Sequence, residues 1–332
     1  MRRREFLGFG LAAASSWASL GAWTRGSHAQ ERYPSRPIRL VIPSVPAGVH
    51  DVIGRLWAER IKPILGTIVI DNRGGGGGSI GANDVAHAQP DGYSILLGST
   101  STHVLVPAAM ARPLYDPMKD FAAASVFAFS STSIVINPSL PVRSLQELIA
   151  YAKANPGKLS YGAAGVGSIT HMAGEFFKQR AGGLDIVMAP YKGIGQGVAD
   201  LISGQIPMFS ANATAQILEL HRAGKVRILA VNSADRIKAV PDIPTSIESG
   251  LAGMVAQTTF GIFAPAGTPP AIVARLNEVT QQAMADEAFQ QELLRVGFEP
   301  VLGVGGEKAA DVFKDELVRW TPIIKASGVK PE

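Results

Sequence analysis

From Pro37 onward, short β-branched runs alternate with helical patterns: IRLVIP, DVIGRLWAERIKPILG, TIVIDNR, IGANDVAHAQ and YSILLGS. Such alternation argues for parallel strands joined by crossover helices. The rhythm returns in LSYGAA, ITHMAGEFFKQRAGG, DIVMAPY, GQGVADLISG, IPMFSA, TAQILELHRAG and VRILAVN, which gives two α/β units in series. At 332 residues with 46% hydrophobic composition, the chain is long enough for each unit to have its own core. Between the units lie FAFSSTSIVIN at 127–137 and MVAQTTFGIFAP at 254–265, two extended segments suited to pairing as strands that cross between lobes. On that reading the first domain is discontinuous, residues 30–131 and 255–332, and the second spans 132–254.

Helix boundaries are well marked. Ser144, Leu145, Gln146 and Glu147 form a capping-box pattern, and Asn155, Pro156 and Gly157 stop the helix that follows. Thr268, Pro269 and Pro270 open another helix that runs to about Ala285, since proline is tolerated in a first turn. The last long helix, roughly 307–326, carries Val312, Phe313, Leu317, Trp320 and Ile324 at helical spacing, a core stripe rather than a cofactor surface.

The first thirty residues have the layout of an export signal: Arg2, Arg3 and Arg4, an apolar run at 6–20 too short for a good membrane span, and Ser27-His28-Ala29 as a cleavage site. Arg3-Arg4 followed by Glu5-Phe6-Leu7 also resembles a twin-arginine signal, and an ordinary secretory signal stands as the alternative. A mature periplasmic protein is therefore expected. Removing residues 1–29 takes out four Arg and one Glu, so the +4 of the full chain falls to +1. A near-neutral surface gives no support for nucleic-acid or anionic-membrane binding. The absence of cysteine excludes disulfides, thiolate catalysis and Cys-ligated metal.

Residues 74–81 (GGGGGSIG) follow a strand and open a helix, and Gly76, Gly78 and Gly81 fit G-x-G-x-x-G. A dinucleotide fold carries that signature after its first strand, whereas here it follows the second, so the run reads as a flexible or tightly turning connection, with nucleotide binding as the lesser alternative. No Lys-Ser or Lys-Thr follows for a phosphate-cradling loop, and G-x-S-x-G is absent, which argues against a hydrolase. His171 and Glu175 sit four apart on one helix, a spacing that suits two metal ligands, but no third lies nearby, and His171 reads better as a polar contact or loop-fixing group.

Two loops carry a common chemistry. PSVPAGVHD at 43–51 and GVGSIT at 165–170 each link a strand to a helix. In a parallel sheet both lie at the carboxyl ends of strands, where open α/β folds place ligands. Each presents the unpaired N–H groups of a helix start, which suit an anion. Glycines admit close backbone approach, while Ser168, Thr170 and His50 are candidate side-chain donors. Two such loops on separate domains form a clamp; one alone is an ordinary tight turn.

The chain resembles the Bug or TctC-type periplasmic solute-binding proteins, receptors of tripartite tricarboxylate transporters. The resemblance runs over essentially the whole mature chain, through YPSRPIRLVIP at 33–43, PDGYSILLG at 90–98, YDPMKDF at 115–121, the block beginning NPSLPVRSLQELIAYAKANPGKLSYGAAGVGSITHMAGE at Asn137, PYKGIGQGVADLISGQI at 190–206, AGKVRILAVNSADR at 223–236 and FGIFAPAGTPP at 260–270. It implies an α/β, two-domain periplasmic binding protein (type II-like) with crossing hinge strands and a ligand cleft between domains. It further implies a receptor, not an enzyme, that needs no cofactor and binds a small carboxylate, often a dicarboxylate or an aromatic acid. The membrane subunits of the transporter are the implied partner, and a monomer is expected. Carried onto this sequence, the ligand contacts are Ser44, Val45, Ala47, Gly48, Val49, His50 and Asp51 in the first loop, and Gly167, Ser168, Ile169, Thr170 and His171 in the second. Further contacts fall at Ser99, Thr100, Ser101 and Thr102, at Tyr191 and Lys192 beside Gly193, and at Asn212.

Three departures from the family pattern bear on the ligand. Ala47 stands where a second glycine is usual, His50 where a small hydroxyl residue is usual, and Ser210-Ala211-Asn212-Ala213 lacks an acidic residue that members often carry. Without that acid an obvious partner for a ligand ammonium is gone, so amino acids are disfavoured. If His50 faces the cleft it adds a pH-sensitive contact near physiological pH; the alternative is that it points to solvent. Domain closure would then create the surface a transporter recognises, or, in a second reading, one recognised by a sensor kinase.

Overall fold

Three parallel strands form the first predicted unit: β1 (Ile38–Ile42), β2 (Ile68–Asn72) and β3 (Ser94–Ser99), with β1 between the other two. They are linked by α1 (Val49–Leu65) and, after a 3-10 turn at Gly76–Gly78, by α2 (Ser79–Ala86). A π-helical turn, Ser101–Leu105, and α3 (Val106–Ala109) follow β3. The computed structural model describes residues 33–329, so the predicted export signal lies outside the described residues. Of a separate N-terminal unit that ends at Ser35, only residues 33–35 are described; Arg36 onward is one unit, described below.

The strand that organises the sheet is β4 (Phe121–Ile136), 16 residues long. Its first part, Phe121–Ser131, pairs antiparallel with β9 (Gln257–Pro265), and β10 (Glu299–Gly305) pairs with residues 125–129. Its last part, Thr132–Ile136, pairs instead with β7 (Met208–Asn212) and β8 (Arg227–Val231). The partner change falls between Ser131 and Thr132, where the Thr132 N–H donates to Ala256 O at 2.9 Å. The two segments expected to pair do so, and β4 alone runs on to the partners of the second half. β4 begins six residues earlier than the sequence suggests, because FAAASV is poor in β formers and is held extended by two neighbours.

The second parallel set is β5 (Leu159–Ala164) between β6 (Ile186–Tyr191) and β7. It is preceded by α4 (Leu145–Ala154) and interleaved with α5 (Ile169–Arg180), α6 (Ile194–Ser203) and α7 (Ala215–Arg222). Ser144 caps α4 by accepting from Glu147 N–H, and the Glu147 carboxylate accepts from Arg143 N–H at 2.7 Å, so the predicted box closes one residue further out. After β9 the chain returns to the first half of the sheet through α8 (Pro270–Met284), α9 (Glu287–Arg295), β10 and α10 (Glu307–Ser327). All ten strands form one mixed sheet in the order β2-β1-β3-β9-β4-β7-β5-β6, with β8 and β10 also on β4.

The predicted stripe of α10 is inside, with Phe313, Trp320 and Ile324 buried. Phe313 meets Phe263, which in turn meets Phe121, and the fully buried His103 stacks on Phe263 at 3.8 Å. Burial pushes the His103 pKa down to about 3, so the ring is neutral and serves as an aromatic core residue. Among the described residues no helix is long and apolar enough to cross a membrane.

Candidate ligand cleft

A cleft of about 900 Å³ opens where the carboxyl ends of all six parallel strands converge. Pro43, Ser44 and Val45 follow β1; Gly74, Gly75, Gly76, Gly77 and Gly78 follow β2; Ser101 follows β3. On the other side stand Ala164, Gly165, Val166, Ser168, Ile169 and Thr170 after β5, then Pro190, Tyr191, Lys192, Gly193 and Ile194 around the end of β6, and Asn212 at the end of β7. Thr258 of β9 completes the floor. Gly48 and Ser168, the two helix-start positions, thus face one cavity.

Of the candidates taken from sequence, Ser44, Val45, Gly48, Val49, His50, Ser101, Ser168, Ile169, Thr170, Tyr191, Lys192 and Asn212 are on the wall. Ala47, Asp51, Ser99, Thr100, Thr102, Gly167 and His171 are not among the lining residues: Ala47 is exposed, and the other six are buried and support the loops that form the wall. Asp51 is 5% exposed and clamps the first loop: Oδ2 accepts from Ala47 N–H at 2.8 Å, and Oδ1 accepts from Arg55 Nε and Asn72 Nδ2, both at 2.9 Å. Burial alone would raise its pKa, but the bonds from Arg55, Ala47 and Asn72 together hold it below the usual carboxylate range. Ala47 adopts φ 61°, left-handed backbone that costs an alanine about 1–2 kcal/mol, and the Asp51 bond holds it there.

Ser99 binds His50 Nε2 at 2.8 Å, and Thr102 Oγ1 ties the β3 end to His103. Thr100 Oγ1 donates to Glu316 of α10 at 2.7 Å and accepts from Thr259 N–H, while Thr259 Oγ1 donates to the other Glu316 oxygen at 2.6 Å. Burial raises the Glu316 pKa despite those two bonds. The Gly167 N–H donates to His171 Nδ1 at 3.0 Å, so His171 is the loop-fixing group; burial lowers its pKa against the pull of Glu175. Glu175 Oε1 in turn accepts from the Tyr161 hydroxyl and from Lys178, and among the described residues no group of three or more His, Cys, Asp or Glu side chains is placed to hold a metal ion.

The two helix starts are not equivalent. The α1 N-cap, Gly48, makes no side-chain cap bond, and Gly48, Val49 and His50 at this helix start line the cleft. At α5 the chain satisfies most of its own donors. Ser168 Oγ caps the helix by accepting from His171 N–H and itself donates to Gly165 O at 2.7 Å. The Ile169 N–H donates across the cleft to Ser101 Oγ at 3.2 Å, and Thr170 Oγ1 accepts from Ala164 N–H. Asn212 Nδ2 donates to Ser130 O and Thr258 Oγ1, and the Tyr191 hydroxyl donates to Asp200. Among the described residues Lys192 is the one charged side chain on the wall, and no carboxylate lines it.

Burial, including an edge-on contact with Phe260 at 5.1 Å, lowers the His50 pKa to about 4. His50 lines the cleft, and this shift places its titration below the physiological range, against the pH-sensitive contact expected of a cleft-facing histidine. The glycine run is the wall that sequence reasoning misses. It reads as a connection, although its place after a parallel strand gives it the same standing as the two anion-suited loops. At Gly77, φ 64°, an added Cβ would lie 2.6 Å from Val106 Cγ2 and 3.1 Å from Val166 O across the cleft. Only glycine lets the two walls meet there.

Residues 53–329 match the family model described as tripartite tricarboxylate transporter family receptor. Protein BugT of Bordetella pertussis is 34% identical over 302 residues, 90% of this chain and 92% of that protein. Among solved structures, R. palustris Rpa4515 with adipate aligns with a TM-score of 0.85 at 33% identity, covering 90% of this chain and all of that one. MatC from Rhodopseudomonas palustris with bound malate aligns at 0.82 and 28% identity, covering 88% of this chain and all of that one.

Proposed function

The chain belongs to the tripartite tricarboxylate transporter receptor family, and on that basis we infer that it is a periplasmic receptor that captures a small organic carboxylate in the cleft and delivers it to the membrane subunits of such a transporter. The family role is that of a receptor, not an enzyme. One observation carries the ligand class: the cleft offers an uncapped helix start, a lysine and several hydroxyl groups, with no carboxylate on its wall among the described residues. A buried carboxylate needs a donor for nearly every lone pair, and the backbone N–H groups at the α1 start together with Lys192 supply donors on an otherwise largely glycine and apolar wall. A ligand ammonium finds no anionic partner. The adipate and malate of the two solved relatives support a dicarboxylate; the apolar Val45, Val166 and Ile194 leave room for an aromatic acid.

Closure in this reading is a population shift, favoured because the closed form brings both walls to the anion. The division proposed sets residues 30–131 and 255–332 against 132–254, and it is supported by the change of β4 partners at Ser131/Thr132 beside Ala256. Export by the N-terminal signal completes the reading. Thermal unfolding across mono-, di- and aromatic carboxylates tests it. Ligand at a hundred times Kd stabilises by about 2.7 kcal/mol, a rise of roughly 5 °C. The corresponding neutral amides should give none; if no carboxylate raises the transition, or amides act equally, the reading fails.

A further inference from the structure

On the face where α5 meets α10, apart from the ligand cleft, a second cavity of about 570 Å³ is lined by Arg180, Arg319, Gln179 and Phe176 with the backbone turn at Gly253. The Arg180 guanidinium carbon stands 4.9 Å from the Phe176 ring centre, and that of Arg319 stands 5.3 Å from the Trp320 ring centre. Phe176 and Trp320 meet edge to face at 5.8 Å, so one aromatic pair anchors both cations. Neither arginine forms an ion pair with a carboxylate among the described residues. Glu316, one turn before Arg319, is engaged by Thr100 and Thr259.

Two donors on this wall are already engaged by backbone carbonyls. Arg319 Nη1 donates to Val255 O at 3.2 Å, and the Gln179 amide donates to Ile323 O at 3.4 Å. The Trp320 indole N–H, fully buried, has no acceptor among the described residues. Arg180 sits in the last turn of α5, where a cation offsets the helix dipole, but that accounts for about half a charge and for none of Arg319, which lies well inside α10. Two exposed guanidiniums, each held over an aromatic ring on one cavity with no acidic residue on its wall among the described residues, suit a planar or tetrahedral oxyanion.

We propose that this cavity is a second anion site, in which Arg180 and Arg319 bridge a free small oxyanion such as phosphate or a simple carboxylate. The site is independent of the cleft ligand. Its occupant would touch α5, whose other end forms the cleft wall, and α10, which supports the cleft floor through Glu316.

The test uses the full chain, labelled with ¹⁵N, and follows the four indole N–H signals while inorganic phosphate or chloride is added at matched ionic strength. Trp320→Phe identifies the reporter. Phosphate should move the Trp320 signal saturably and chloride should not, while Trp57, which donates to Thr280 Oγ1, stays in place. Arg180→Ala and Arg319→Ala should each raise the phosphate dissociation constant at least about tenfold. Arg319→Lys, which retains the charge and guards against a folding artefact, should lose less. The Gly77→Ala cleft variant should keep the wild-type response. Equal movement with chloride, indifference to the arginine substitutions, or loss of the response in Gly77→Ala would each overturn the proposal.

Discussion

Asp51→Asn separates the loop clamp from the charge it carries. The carboxylate accepts on both oxygens, from Ala47 N–H on one and from Arg55 and Asn72 on the other. An amide has one accepting and one donating end, so in either orientation its NH₂ faces at least one donor. The less costly arrangement turns the NH₂ toward Ala47 and loses one charge-assisted bond, about 1.5–3 kcal/mol. The half-exposed Arg55 ion pair adds less than about 1 kcal/mol. A total of roughly 2–4 kcal/mol corresponds to a fall in Tm of about 3–7 °C. Removal of a negative charge from the first turn of α1 also favours an anion there, by up to about 1 kcal/mol. Release of Ala47 from its left-handed conformation frees the loop at 44–48, and that loss outweighs the gain. Scanning calorimetry should therefore show the lower Tm. Titration with the carboxylate that most stabilises wild type should show affinity about three- to tenfold weaker. An unchanged Tm, or tighter binding, would refute the clamp.

Other consequences are more compact. Acidification should destabilise the protein: His103 has a folded pKa near 3 and His50 near 4, both below the ordinary 6.5, so the unfolded chain binds protons that the folded one does not, and stability falls as pH drops below about 6.5. His103 alone contributes a loss of the order of 2 kcal/mol at about pH 5, and equal urea midpoints at acidic and neutral pH would contradict this. Gly77→Ala strains a left-handed position and meets Val166 across the cleft; ligand affinity should fall about tenfold or more, with unchanged affinity counting against wall-to-wall contact. Ser168→Ala removes a helix cap worth about 1 kcal/mol, so thermal unfolding of the ligand-free protein should drop by roughly 2 °C, and no drop would show that the cap is dispensable.

The α/β rhythm is readable because each strand and helix of the parallel sets declares its period locally, as IRLVIP and ITHMAGEFFKQR do. The pairing of β4 with β9 is only suggested, since it joins residues far apart in sequence and β4 starts in a stretch of alanines. β10 escapes notice because its proline and glycines mask an edge strand that is extended by its neighbour. At the cleft, strand ends identify the two loops, but not how each is satisfied. Ser101 reaches α5 from 68 positions away, and Glu316 reaches Thr100 from 216. Gly77 contributes by having no side chain, and a missing side chain carries no chemical signal in sequence.

A crystal structure of the chain with its best-stabilising carboxylate tests the central claim most directly. The anion should lie in the cleft with an oxygen about 3 Å from the Val49 or His50 amide at the bare start of α1, and with the 165–170 loop closed over it. A ligand seated outside the cleft, or held there with its carboxylate directed away from both loops, would contradict the account.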